Sequence, residues 1–75
     1  MSLSDAKLNA NCVIKSVNIK NQKLKIRLME LGIIEGCKIL VNKKSIFKET
    51  LLVIFANSCF TLKQNLAKEI EVEYA

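Results

Sequence analysis

The sequence predicts a small, mostly β fold with one short helix, its five or so strands rolled into a barrel. Three observations carry this. Ile70, Val72 and Tyr74 alternate with Glu69, Glu71 and Glu73, the period of a half-buried strand. Several earlier runs of five to eight residues are rich in β-branched and aromatic side chains and are separated by turn formers. The one amphipathic helical run ends at Gly32, one of only two glycines in the chain. So many short strands in 75 residues would leave long edges exposed unless the sheet curls on itself, so closure is expected to remove them. The length suits one domain over residues 1–75.

The elements follow in order. Leu3 to Asn11 reads as a lead-in anchored by Leu3 and Leu8, with Asn9 and Asn11 as turn formers tolerant of left-handed geometry. Cys12 to Val17 is the first strand. Asn21 is placed to cap a helix from Gln22 to Leu31. At 100° per residue, Leu24, Leu28 and Leu31 share the face expected to meet the core. Ile26 and Met29 fall on the far side, where either the lead-in covers them or they stand exposed as a docking surface. Gly32 is expected to close the helix and Gly36 to make a second turn, both at positive φ. The second strand runs from Lys38 to Lys43, followed by a basic loop with Ile46 and Phe47 at its tip. Thr50 to Ala56 is apolar on both faces, as in a central strand, with Leu51, Val53 and Phe55 on one side. A tight turn at Asn57-Ser58 leads into Cys59 to Lys63, with Phe60 and Leu62 inward. Asn65 to Lys68 suits one helical turn, and Ile70, Val72 and Tyr74 then face the core.

Composition bounds the function. The net charge is +5, with ten basic and three acidic residues up to Lys48 and two against four beyond it. Such a distribution favours an acidic partner, an anionic surface or nucleic acid, or simply keeps an apolar chain soluble. The longest uncharged run, Thr50 to Leu62, has 13 residues, whereas a spanning helix needs about 20. The start lacks the basic-then-apolar shape of an export signal, so a cytosolic location is expected. Cys12, Cys37 and Cys59 are odd in number and widely spaced, which points to reduced thiols rather than a disulfide framework.

Catalytic chemistry finds no footing. There is no histidine, no Gly-rich phosphate loop and no plausible carboxylate pair, so no enzyme and no cofactor are expected. The three cysteines lack the close pairs of zinc and iron–sulfur sites, so no metal ligand is assigned; a stand-alone thiolate metal-binding module is kept as an alternative. Another alternative is a basic barrel binding single-stranded nucleic acid. Lys20, Lys23, Lys25, Arg27, Lys43, Lys44 and Lys48 would supply the charge, but only Phe47 and Tyr74 remain as stacking aromatics.

Arg27-Leu28-Met29-Glu30-Leu31-Gly32-Ile33, followed after two residues by Gly36, resembles the signature of the FeoA family. The resemblance extends from Leu3-Ser4-Asp5 to Leu62-Lys63 and Ala67 to Val72. Where the family often carries glycine, this chain has Asn9 and Asn57. The resemblance implies an SH3-like β-barrel, similar to the C-terminal domain of diphtheria-toxin-type metal-dependent repressors, and no catalysis. It also implies a role in bacterial ferrous iron uptake, beside a FeoB-type membrane transporter with a cytosolic G domain. Contact with that partner, or with further copies of the chain, is expected through Lys23, Ile26, Arg27, Met29 and Glu30. The alternative is that Met29 is covered and Arg27 lies over the core.

Overall fold

In the computed structural model, which describes residues 1–45, 47 and 49–75, seven elements follow a 3-10 turn at Leu3–Asp5. They are β1 (Asn11–Val17), α1 (Gln22–Leu31), β2 (Lys38–Ser45), β3 (Thr50–Phe55), β4 (Ser58–Lys63), α2 (Gln64–Ala67) and β5 (Ile70–Tyr74). The strands form one antiparallel sheet in the order β4-β3-β2-β1-β5. The mostly β class and five strands are those expected from the sequence.

Side-chain alternation explains why this sheet is rolled. Ile14 of β1, Ile39 and Val41 of β2, Leu51 and Val53 of β3, Leu62 of β4 and Ile70 and Val72 of β5 all belong to one buried cluster. A flat sheet would hold the first and last of these far apart. Two register shifts, between Ile14 and Ser16 and between Val41 and Lys43, supply the bending, because an extra residue on one strand kinks it and tightens its twist. Leu3 and Ala6 from the N-terminal segment and Ala67 from α2 close the cluster, and no polar side chain is buried among the described residues.

The hydrogen-bond ladder does not close. No pairing joins β4 to β5 among the described residues, so the expected removal of edges by closure is corrected: curvature makes the barrel, and the two edges are treated differently. The outer edge of β5 is occupied by the chain's own start. Ser2 bridges Glu71, the Val72 N–H donates to the Met1 carbonyl at 2.8 Å, and the Met1 amino group donates to Glu71. Among the described residues, β4 pairs on one side only, with β3.

Several local expectations need correction. Leu8 is half exposed and anchors nothing; Leu3 and Ala6 do that work. Leu31 is 56% exposed although it shares the stripe of Leu24 and Leu28. Tyr74, 46% exposed, lies beyond the inward positions of β5, and its hydroxyl accepts from the Lys7 N–H at 3.0 Å. Asn11 opens β1 rather than making a turn, and β2 continues to Ser45. The β3–β4 turn is Ala56-Asn57, one residue earlier than expected, with φ of 50° and 66°. Two successive positive φ values define the turn whose twist matches a two-residue hairpin. Ile46 and Lys48, in the basic loop, lie outside the described residues; Phe47 between them is fully exposed. No helix among the described residues is long and apolar enough to cross a membrane.

Candidate docking surface on the helix

The surface starts with two residues that fix where α1 begins and ends. Asn21 is extended (φ −73°, ψ 108°), and its side-chain oxygen accepts from the N–H groups of Lys23 and Leu24 at 3.1 and 3.3 Å. That satisfies two of the donors a helix start leaves unpaired. Gly32 is left-handed (φ 100°, ψ 8°), and its N–H closes back on the Leu28 and Met29 carbonyls. Gly36, at φ 91°, donates to the Ile14 carbonyl at 2.8 Å and starts the pairing of β2 with β1. Both glycines are the positive-φ turns expected from the sequence.

Between these caps α1 is thinly held. Leu28 is its only buried residue, helped by half-buried Leu24. Beyond its end, Ile33 is fully buried, and the Phe55 ring lies over Gly32. The rest faces outward. Ile26 and Met29, one turn apart, are 52% and 51% exposed. The lead-in does not cover them, which decides between the two readings left open by the sequence. Lys23, Arg27 and Glu30 are exposed on one flank, with half-buried Lys25 on the other. The structure thus brings all five expected contact residues to one exposed helix. Ile34, in the following loop, is also exposed, at 43%. The sequence held a signal for Ile34: if Ile33 is buried between two turns, its neighbour must point away.

The electrostatics are unusual for a helix. α1 has no acidic residue in its first turn and no basic residue in its last. Lys23 and Lys25 sit near the partly positive end and Glu30 near the partly negative end, the reverse of what the helix dipole favours. Among the described residues, the ion pairs are Met1–Glu71 and Lys15–Glu73, neither of which involves α1. The charges on α1 are therefore solvated and open to an outside partner.

The cysteines are not assembled. Cys12 is buried, Cys37 half-buried and Cys59 exposed, and no group of three or more potential ligands that could hold a metal occurs among the described residues. Burial pushes the Cys12 thiol above its ordinary pKa, and the thiol donates to the Ala10 carbonyl at 3.5 Å. Only thiolate reacts with disulfide reagents. In a thiol titration of the native protein, Cys59 should react first and Cys37 more slowly, with Cys12 reacting only after denaturant is added.

Residues 1–74 match the model of the FeoA domain. The chain belongs to the FeoA family. No curated protein matches the sequence. Among solved structures, the solution structure of FeoA from Chlorobium tepidum is similar at 27% identity and a TM-score of 0.89, covering 99% of this chain and 70% of that one. FeoA of Stenotrophomonas maltophilia, solved in complex with zinc, is 32% identical with a TM-score of 0.83, over 97% of this chain and 89% of its own. That protein is described as a prokaryotic SH3 domain protein, with a suggested role as a bacterial ferrous iron transport activating factor. ScaR with bound zinc shares the fold at 23% identity and a TM-score of 0.84, over 100% of this chain and 37% of that one. The FeoA family and its SH3-like fold are those expected from Arg27 to Gly36.

Proposed function

We propose that this FeoA protein is a non-enzymatic accessory of bacterial ferrous iron uptake, acting in the cytosol by docking onto the cytosolic G domain of a FeoB-type transporter. The supporting observation is α1, a helix attached by one buried leucine that presents Ile26 and Met29 among unpaired charges. An exposed apolar pair ringed by Lys23, Arg27 and Glu30 has the makeup of a small interaction centre with a polar rim. The charge order along α1 opposes helix stability, and such local conflict tends to mark a functional surface. Membership of the FeoA family supports a role in ferrous iron transport. The same surface is the one through which copies of the chain would associate.

Replacing both Ile26 and Met29 by serine tests this. Each is exposed, so the melting temperature should move by only a few degrees. Capture of the transporter's cytosolic domain should fall at least tenfold. Unchanged capture by a folded double variant would remove α1 from the interface, and sedimentation of the same variant reports on self-association.

A further inference from the structure

The two edges of the sheet are unequal, and the difference points to a second docking element on a surface the first proposal does not use. We propose that the free edge of β4 accepts an extended, acidic segment of a partner protein as a sixth strand.

The pairing register shows what the edge offers. The Ala56-Asn57 turn makes Phe55 and Ser58 a hydrogen-bonded pair, and alternation continues through Val53 with Phe60 and Leu51 with Leu62. The backbone N–H and C=O groups of Cys59 and Thr61 therefore point away from β3. β5 has the corresponding groups covered by Met1 and Ser2; among the described residues none covers those of β4. Apart from Lys63 at its end, β4 lacks the usual protections of an exposed edge. It has no proline and no bulge against β3, and from Thr50 to Leu62 no charge at all.

The flanking surface selects the occupant. Lys43, Leu52 and Thr61 lie in one row across β2, β3 and β4. With Lys44, Ser45 and Thr50 they line an open concavity of about 590 Å³ beside the edge. Leu52 is its apolar member; Ser45, two threonines and two lysines make up the rest. Lys44 Nζ is held at 2.8 Å by the Ser4 carbonyl, whereas Lys43 and Lys63 make no ion pair among the described residues. No carboxylate lines the concavity; Glu49 is one residue from Thr50 but stands outside it. A strand added beside β4 would place alternate side chains on this face, next to Thr61 and diagonal to Lys63. Carboxylates at those positions meet cations and hydroxyls, while main-chain bonds to Cys59 and Thr61 supply the affinity common to strand addition.

The test uses the isotope-labelled full chain and two blocked hexapeptides, Glu-Ile-Glu-Val-Glu-Tyr and Lys-Ile-Lys-Val-Lys-Tyr. The acidic peptide should shift amide resonances of residues 58–63, slow hydrogen exchange at Cys59 and Thr61, and bind at least tenfold more tightly than the basic one. Thr61→Pro should abolish binding, because its N–H faces outward and a proline there blocks only the free side. Should that variant fold poorly, Lys63→Glu should weaken binding at least fivefold without altering the melting temperature. Equal binding of the two peptides, shifts confined to another face, or no shift at millimolar peptide would overturn the proposal. So would concentration-dependent protection of Cys59 and Thr61 in the free protein, which would make a second copy the occupant. Tight binding of single-stranded oligonucleotide at the same residues would reassign the surface to nucleic acid.

Discussion

Leu28→Ala should destabilise the protein by about 2–4 kcal/mol, the range for truncating a buried leucine. The argument rests on how little else fastens α1. Leu28 is 6% exposed, while Leu24 is only half-buried and Leu31, the third residue of the same stripe, is largely in water. A cavity at Leu28 cannot be relieved by neighbouring helix contacts, because α1 has no other buried side chain. In a domain of this size each kcal/mol moves the melting temperature by about 4–8 °C, so the shift should be about 8–32 °C. Chemical denaturation should show a lower midpoint, and amide exchange in α1 should accelerate first. A midpoint within a few degrees of the parent would mean that the caps at Asn21 and Gly32, not Leu28, hold the helix in place.

Gly32→Ala should cost about 2–3 kcal/mol, combining backbone strain with a tight contact to the Phe55 ring. At φ 100° a side chain is strained whatever the surrounding space. An added Cβ would also stand 3.1 Å from Cε1 and 3.2 Å from Cζ of Phe55. Phe55 is 8% exposed and part of the core, so its ring has little room to retreat. Gly36→Ala separates the two effects: its φ is 91°, but nothing lies within 4 Å of the new methyl group. That variant should lose only about 1 kcal/mol from torsional strain. Equal losses at the two positions would show that the Phe55 contact contributes nothing. A double-mutant cycle with Phe55→Leu would measure the contact directly.

The pattern of sequence hits and misses has physical causes. The helix from Gln22 to Leu31 was legible to the residue because side-chain chemistry announces both ends: an asparagine that caps and a glycine that adopts positive φ. Asn9 and Asn57, standing where the family often has glycine, do take left-handed φ, at 62° and 66°. The inward rows of β3 and β5 followed from alternation, apart from Tyr74 at the strand's end. Periodicity failed where it was extended to the end of an element. Leu31 fits the helical stripe but is the last residue of α1 and is exposed. The Ala56-Asn57 turn was misplaced because alanine seldom adopts positive φ; hairpin closure imposes it there. Exposure of Ile26 and Met29 was left undecided because it depends on where Leu3 and Leu8 pack, a long-range question that no local pattern answers. The five residues proposed for partner contact were selectable from the sequence only as candidates, since a helix face shows its period but not its neighbour. The unequal sheet edges were not legible, because strand order depends on pairings between distant residues.

That β1 pairs with β5 has a consequence during synthesis. The three-strand meander from Lys38 to Lys63 can assemble as soon as it leaves the ribosome. Val13, Ile14 and Val17 must wait for Glu73, Val72 and Ile70, made after the meander. A nascent chain stalled before Ile70 emerges would hold β1 without its outer neighbour, leaving unpaired backbone and apolar side chains for chaperones to shield.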